Sequence, residues 1–376
     1  MLASVKDIIN ILDSIAPPSL AESWDNIGIQ VGSEDWPVKR IFIALDPLPE
    51  VVKLACKDNI DLLITHHPLL MKPIKSINTN NSTGNIIQMA IEHRMTIFSA
   101  HTNLDSAFGG INDILSEIIA LKDLEVLCPG QSPDFFKLVF FIPQGHEEKI
   151  LEKLFQTNAG NIGEYSCCSF RNKGTGTFFP GKNSKPFNGM QGQLTHVEEL
   201  RIETILEKND IFPVINNLKK NHPYETMAYD IYPLSNSFGQ DNVNYGLGRI
   251  GNLSEKVTLK KFAASIKEKM NLKYIKIIGN EEAFIKRVAL CSGSGASLLE
   301  NFYNSGADVF ITGDIKYHDA RVIEEKNLCC IDIGHFASEH IYINQLASAL
   351  GRILKKKDFD LVVNTCDIEK DPFKII

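Results

Sequence analysis

Apolar and polar positions fall into three kinds of pattern along this chain. Residues 4–15 carry apolar side chains at helical spacing, begin on Ser4 and run into Pro17-Pro18. That predicts an amphipathic helix with Ser4 as its N-cap and the prolines as its stop. The runs at 40–45, 61–65 and 96–100 are short and apolar, with helical patterns between them. This is the pattern of parallel strands buried on both faces. Gly109-Gly110 opens another helix, predicted to continue through Ile118.

The pattern changes near Pro129-Gly130. From Lys137 to about Pro233 long strand patterns dominate, with helices predicted at 146–156 and 209–220 and a glycine-rich stretch at 174–192. Such a mixture reads as an α+β insert. Beyond a polar linker at 236–244 the parallel pattern resumes, with strands at 288–291, 308–312 and 328–333 and helices at 295–304 and 316–326. A last helix is predicted over 336–354, and basic residues at its end, Arg352 and Lys355 to Lys357, suit its C-terminal dipole. The fold class expected is α/β: two related halves with mostly parallel sheets (1–130 and 239–376) around an inserted α+β domain (131–238).

Composition narrows the function classes. A chain of 376 residues fits two or three domains, and 44% hydrophobic residues fill ordinary cores. A net charge of -7 argues against general binding to nucleic-acid backbones. Charges interrupt the N-terminus and no apolar run is long enough to span a bilayer, so no membrane association and a cytoplasmic location are expected. The eight cysteines form no CxxC pair and read as reduced, buried thiols.

Four predicted strands end in side chains that carry chemistry. They supply His66 and His67; His101, Asn103 and Asp105; Asp314 and His318; and Asp332, His335 and Glu339. In an open parallel sheet the carboxyl ends of the strands share one side, where ligands bind, so these clusters converge despite their separation in sequence. His335 and Glu339, four apart at a helix start, project from one face. His66 and His67 are consecutive, so in an extended segment they point to opposite sides and can serve two metals from one loop. Glu339 or a water would bridge them. Imidazole and carboxylate ligands suit Zn²⁺, Fe²⁺ or Mn²⁺ without choosing among them.

The same residues carry a resemblance to the Nif-three-like family, often labelled "GTP cyclohydrolase I type 2 homologue". The matching segments are Trp24 to Gly32, Thr65-His-His-Pro-Leu69, Ala100-His-Thr-Asn-Leu-Asp105, Gly109-Gly-Ile-Asn-Asp113, Thr312-Gly-Asp-Ile-Lys-Tyr-His-Asp319 and Asp332-Ile-Gly-His-Phe-Ala-Ser-Glu339. The resemblance implies a dinuclear centre of two divalent metal ions per subunit. His67 and Asp105 would hold one ion and His66 and His335 the other, with Glu339 bridging. It implies a toroidal homohexamer and, in long members, an insert with a PII/CutA-like ferredoxin-like fold. His222-Pro-Tyr-Glu225 looks like that insert's signature.

Other residues admit two readings. Asp25 and Asn26 fit either the site or an Asx-turn. Ser292-Gly-Ser-Gly295 fits an anion cradle or a tight chain reversal. Lys316, Tyr317 and His318 fit substrate contacts or proton shuttling as well as a helix surface, and His101 fits a partner supporting Asp105. The function expected is a metal-dependent hydrolase acting on a nucleotide or phosphoester, GTP cyclohydrolase-like by resemblance. The rivals are a metal-binding, storage or regulatory protein and a metal-held interaction scaffold.

Overall fold

A computed structural model describes residues 3–130, 135–163, 165–234 and 245–374. The chain divides into two units, one of Met1–Gly130 with Val243–Ile376 and one of Gln131–Asn242. The polar stretch at 236–244 lies outside the described residues.

The first unit contains two large sheets. The five-stranded sheet has the order Val362–Thr365, Arg40–Ala44, Leu62–Thr65, Thr96–Ser99, Gly28–Val31. Its strands run parallel except for Gly28–Val31, which pairs antiparallel with Thr96–Ser99. The reason its central strands are apolar at every position is visible in the packing. Ile41, Ile43, Leu62 and Ile64 face a core built with Val5–Ile15 and Tyr342–Lys356. Phe42, Ala44, Leu63 and Ile97 face the opposite core, formed with Pro49–Lys57 and Ser82–Glu92. Each large side chain buried in this way contributes about 1.5–3 kcal/mol, so both faces hold the sheet.

The six-stranded sheet has the order Lys276–Ile278, Cys329–Asp332, Val309–Gly313, Phe284–Ser294, Gly246–Thr258, Lys122–Pro129. Only its inner strands at 284–294, 309–313 and 329–332 are parallel to one another; the other pairings are antiparallel. Both sheets are therefore mixed: one pairing of the five-stranded sheet is antiparallel, and in the six-stranded sheet, where most pairings are antiparallel, the expectation of mostly parallel sheets is corrected. The antiparallel edge strands are partly exposed, so they lack the continuous apolar run by which a parallel strand is recognised.

Helix starts follow local chemistry. Ser4 caps Val5–Ile15 and forms a capping box with Asp7. The helix expected over 336–354 is instead two, His335–His340 and Tyr342–Lys356. The second buries Tyr342, Ile343, Leu346, Leu350 and Leu354, while the first carries His335 and Glu339 on one turn.

The second unit has one four-stranded sheet in the order Tyr229–Pro233, Phe135–Pro143, Thr195–Glu207, Ser169–Phe178, with every pairing antiparallel. Alternate residues Leu138, Phe140, Ile142, Leu200 and Ile202 pack against Ile150, Leu154, Val214 and Leu218 of its helices Glu147–Leu154 and Ile211–Asn221. Among the described residues no helix is long and apolar enough to cross a membrane.

Candidate metal centre

The strand ends of the two large sheets deliver one cluster. Leu62–Thr65 ends at His66 and His67, Thr96–Ser99 leads to His101 and Asp105, and Cys329–Asp332 leads to His335 and Glu339. His66, Asp105 and Glu339 are buried, whereas His67 and His335 are half-buried.

In each of the three histidines expected to bind metal, the Nδ1–H donates to a fixed acceptor. His66 donates to Ala100 O at 3.0 Å, His67 to Asp46 Oδ1 at 2.8 Å and His335 to Asp314 Oδ2 at 2.6 Å. This fixes the tautomer and leaves the Nε2 lone pairs for another partner, the arrangement used by metal-ligating histidines. The Nε2 atoms converge on one carboxylate. His67 and His335 lie 3.0 and 3.1 Å from Glu339 Oε2, and His66 lies 3.7 Å from Glu339 Oε1.

The Nε2 atoms of His67 and His335 are 3.4 Å apart, and His66 Nε2 lies 3.9 Å from Asp105 Oδ1. Glu339 lies within 3.7 Å of all three Nε2 atoms. The expectation that the adjacent histidines point to opposite sides of their loop is corrected: their ring centroids lie 5.0 Å apart and both Nε2 atoms approach Glu339, because the chain after Thr65 no longer runs as an extended strand.

Charge explains why the cluster suits cations. Hydrogen bonding to Glu339 raises the proton affinity of His335 to a pKa of about 9, with Asp314 adding to it. Burial works against a charged His67, yet its bonds to Asp46 and Glu339 prevail and raise it to about 10. Burial likewise opposes ionisation of Glu339, but the three histidines hold it well below the ordinary carboxylate range. A buried carboxylate here demands positive charge, supplied by protons or by metal. His66 Nε2 is buried with no hydrogen-bond partner, which is costly unless something else binds it. The donor set and this orphaned nitrogen fit divalent metal.

His101 joins the cluster more closely than the sequence suggested. One nitrogen each of His66, His67 and His101 lie within 4.8 Å of one another, as do ligand atoms of His67, His335 and Glu339. His101 Nδ1 donates to Asp25 Oδ1 at 2.9 Å, and Thr102 N donates to Asp25 Oδ2 at 3.0 Å. Asp25 thus orients the site from outside it. Asp105 accepts from Ser292 Oγ at 3.0 Å, and Asn112 binds Asp105 O and Ser292 N. The Ser292–Gly295 turn serves close packing: Gly293 has φ +57°, and a Cβ on it would lie 2.1 Å from Glu339 Oε1. Lys316, Tyr317 and His318 sit exposed at the start of Tyr317–Glu325, where Arg321 Nε donates to Tyr317 Oη at 3.1 Å.

Sequence reasoning overlooked Asp46 and Arg249. Asp46 follows the carboxyl end of Arg40–Ala44, so the strand-end rule that selected the other residues applies to it equally. Arg249 is buried and pairs with Asp113 while its guanidinium also donates to the carbonyls of Ala107, Gly246 and Gly248. Nothing local in the sequence marks it.

The Duf34/NIF3 (NGG1p interacting factor 3) family pattern matches residues 3–372. A Halalkalibacterium halodurans protein named GTP cyclohydrolase 1 type 2 homolog is 38% identical over 375 residues, covering 100% of both chains. A Bacillus subtilis protein of the same name is 36% identical over 371 residues, 99% of this chain and 98% of the relative. The crystal structure of a Bacillus cereus protein related to NIF3 superposes with a TM-score of 0.75 at 36% identity, covering 100% of both chains. A Staphylococcus aureus protein structure gives a TM-score of 0.76 at 31% identity, over 100% of this chain and 99% of that one.

Proposed function

This chain belongs to the Duf34/NIF3 family, and from that premise we propose that it is a metal-dependent hydrolase acting on a nucleotide or phosphoester. His66, His67, Asp105, His335 and Glu339 hold two divalent cations, with Zn²⁺, Fe²⁺ and Mn²⁺ all suited to the ligands. The observation that carries this reading is the convergence of three Nε2 atoms, aimed by their Nδ1 bonds, on buried Glu339. Such ions, when bound, polarise the substrate and make water a competent nucleophile near neutral pH.

The chain's own residues position that chemistry. Asp46 and Asp314 aim two of the ligands, and Ser292 aims Asp105. His101, held by Asp25 through Nδ1, is free to move a proton at Nε2. Trp24 is 58% exposed, with its ring centroid 6.0 Å from that of His101, and offers a rim surface on which a planar base can stack. The relatives' names point to the same substrate class. The insert reads as a ferredoxin-like domain, supported by its strand order and by helices on one sheet face. Assembly as a toroidal homohexamer belongs to the same proposal and rests on the motif resemblance.

The test is metal analysis of protein purified without added metal, followed by a hydrolysis panel of GTP, other nucleotides and simple phosphoesters. Turnover in the wild type that is lost in His67→Ala, with mass by light scattering unchanged, supports the hydrolase. Bound metal without turnover on any member overturns it in favour of a metal-binding or regulatory protein.

A further inference from the structure

The glycine-rich stretch of the insert has no part in the metal centre, yet it floors a cavity of about 640 Å³. That volume lies within the roughly 300–1,000 Å³ typical of small-molecule sites. The cavity lies on the sheet face opposite the two helices. Phe141, Glu199, Arg201 and Gly174 line it, and in the strand register Arg201 opposes Phe141 and Glu199 opposes Gly174, so all four share that face. The floor is bare: a Cβ on Gly174 would meet nothing within 4 Å. Beside it, Glu199 extends over Gly176, where a Cβ would lie 2.1 Å from Glu199 Oε2.

Aromatic walls stand over this floor. The Tyr224 ring lies 6.4 Å from Phe178 and 6.2 Å from Phe187 between centroids. Tyr224 is held firmly, since its N–H donates to His222 Nδ1 at 3.1 Å while His222 Nε2 bonds Phe141 O at 2.8 Å. Lys185 N donates to Glu225 Oε1 at 3.0 Å and ties the loop bearing Phe187 to the same turn. The His222-Pro-Tyr-Glu225 motif therefore builds the wall of the cavity.

The polar groups define the ligand's edge. Tyr224 Oη donates to Glu199 Oε1 at 2.6 Å, which leaves Oε2 facing the floor as an acceptor. Arg201 Nη1 pairs with Glu203 at 2.9 Å, and the carboxylate of Glu199 is the acceptor beside the bare floor. A side-chain-free floor, aromatic walls and a carboxylate acceptor together select a flat ring with adjacent N–H donors.

We propose that this cavity binds a planar nitrogen heterocycle of the guanine type, with the N1–H and 2-amino edge on the Glu199 carboxylate, whose Oε1 keeps a second lone pair beside its bond from Tyr224, and the ring laid over Gly174 beside the aromatic side chains. The site lies wholly within the insert and is independent of the metal reading. Guanine presents two parallel donors to a carboxylate, inosine's base one and adenine an amino group beside an acceptor. A charge-assisted hydrogen bond is worth roughly a tenfold affinity ratio or more, which sets the expected order.

The experiment is calorimetric titration of the full chain with guanosine, inosine and adenosine, which carry no phosphate. Saturable guanosine binding at least about tenfold tighter than adenosine, with inosine between, is expected. Gly174→Val fills the floor without a local clash, and Glu199→Gln removes the charge. Each should weaken guanosine binding at least about tenfold while metal content stays at the wild-type level. No saturable binding up to millimolar guanosine, or binding unaffected by both variants, overturns the proposal. Binding lost on chelation or in His67→Ala would place the nucleoside at the metal centre and also overturns it. So does a Gly174→Val chain of altered mass that never bound guanosine, which would mark the face as a contact between copies.

Discussion

Replacing Asp46 with alanine should weaken metal binding although Asp46 is itself no ligand. In the wild type its Oδ1 accepts the Nδ1–H of His67 at 2.8 Å. This bond fixes the ring and makes Nε2 more basic. Loss of such an orienting partner typically costs ten- to hundredfold in metal affinity, about 1.4–2.8 kcal/mol. The Asp46 side chain is 35% exposed, so water replaces it in part and the lower figure, about tenfold, is expected. A plain surface ion pair would give about 0–1 kcal/mol, less than about fivefold. Asp46 also strengthens His67 for a proton, which competes with the cation, so the deficit should shrink towards pH 7 and stand clearest near pH 9, close to the His67 pKa of about 10. The assay is competition for Zn²⁺ or Mn²⁺ against a chromogenic chelator between those pH values, with circular dichroism as the check on folding. Asp46→Asn, which can still accept from Nδ1–H, should recover part of the loss. Affinities within twofold of wild type for both variants at pH 9 would refute the reasoning.

Three further outcomes are expected. Gly293→Ala places a methyl 2.1 Å from Glu339 Oε1 at a backbone φ of +57°, so elemental analysis should find most of the bound metal gone while the secondary structure is retained. Arg249→Ala strands buried Asp113 without its partner and should cost about 3–5 kcal/mol in urea denaturation; a loss below about 1 kcal/mol would contradict that burial argument. For Asp25, burial raises the pKa but hydrogen bonds from His101 and Thr102 outweigh it and hold it at about 2, below its ordinary 3.8. The folded state therefore binds this proton less readily than the unfolded one, and the stabilisation is full above pH 3.8 and fades as pH falls through about 2. The stability gap between wild type and Asp25→Asn, measured in chelator, should thus be wide at pH 6 and narrow towards pH 2.

By itself the sequence determined the parts whose cause is local. Ser4 and Pro17-Pro18 bound the first helix because capping and proline act within a turn. The runs at 41–44, 62–65 and 96–99 are strands because both their faces are buried, and that writes a continuous apolar signal. His66 and His67 at a strand end, and the spacing of His335 and Glu339, marked the site for the same reason: the chemistry sits at neighbouring positions. Tertiary structure decided what depends on distant neighbours. The antiparallel edges of both sheets follow from which strand lies beside which, and no local pattern records that. Asp46 and Asp25 acquire their roles only when His67 and His101 are brought within hydrogen-bond reach, 21 and 76 residues away in sequence. No side chain fits at Gly293 once Glu339 passes over it, and Arg249 meets its carboxylate partner Asp113, 136 residues away, only in the folded chain. Short-range steric and capping preferences act through the chain, whereas the geometry of the cluster is imposed through space by how the sheets pack.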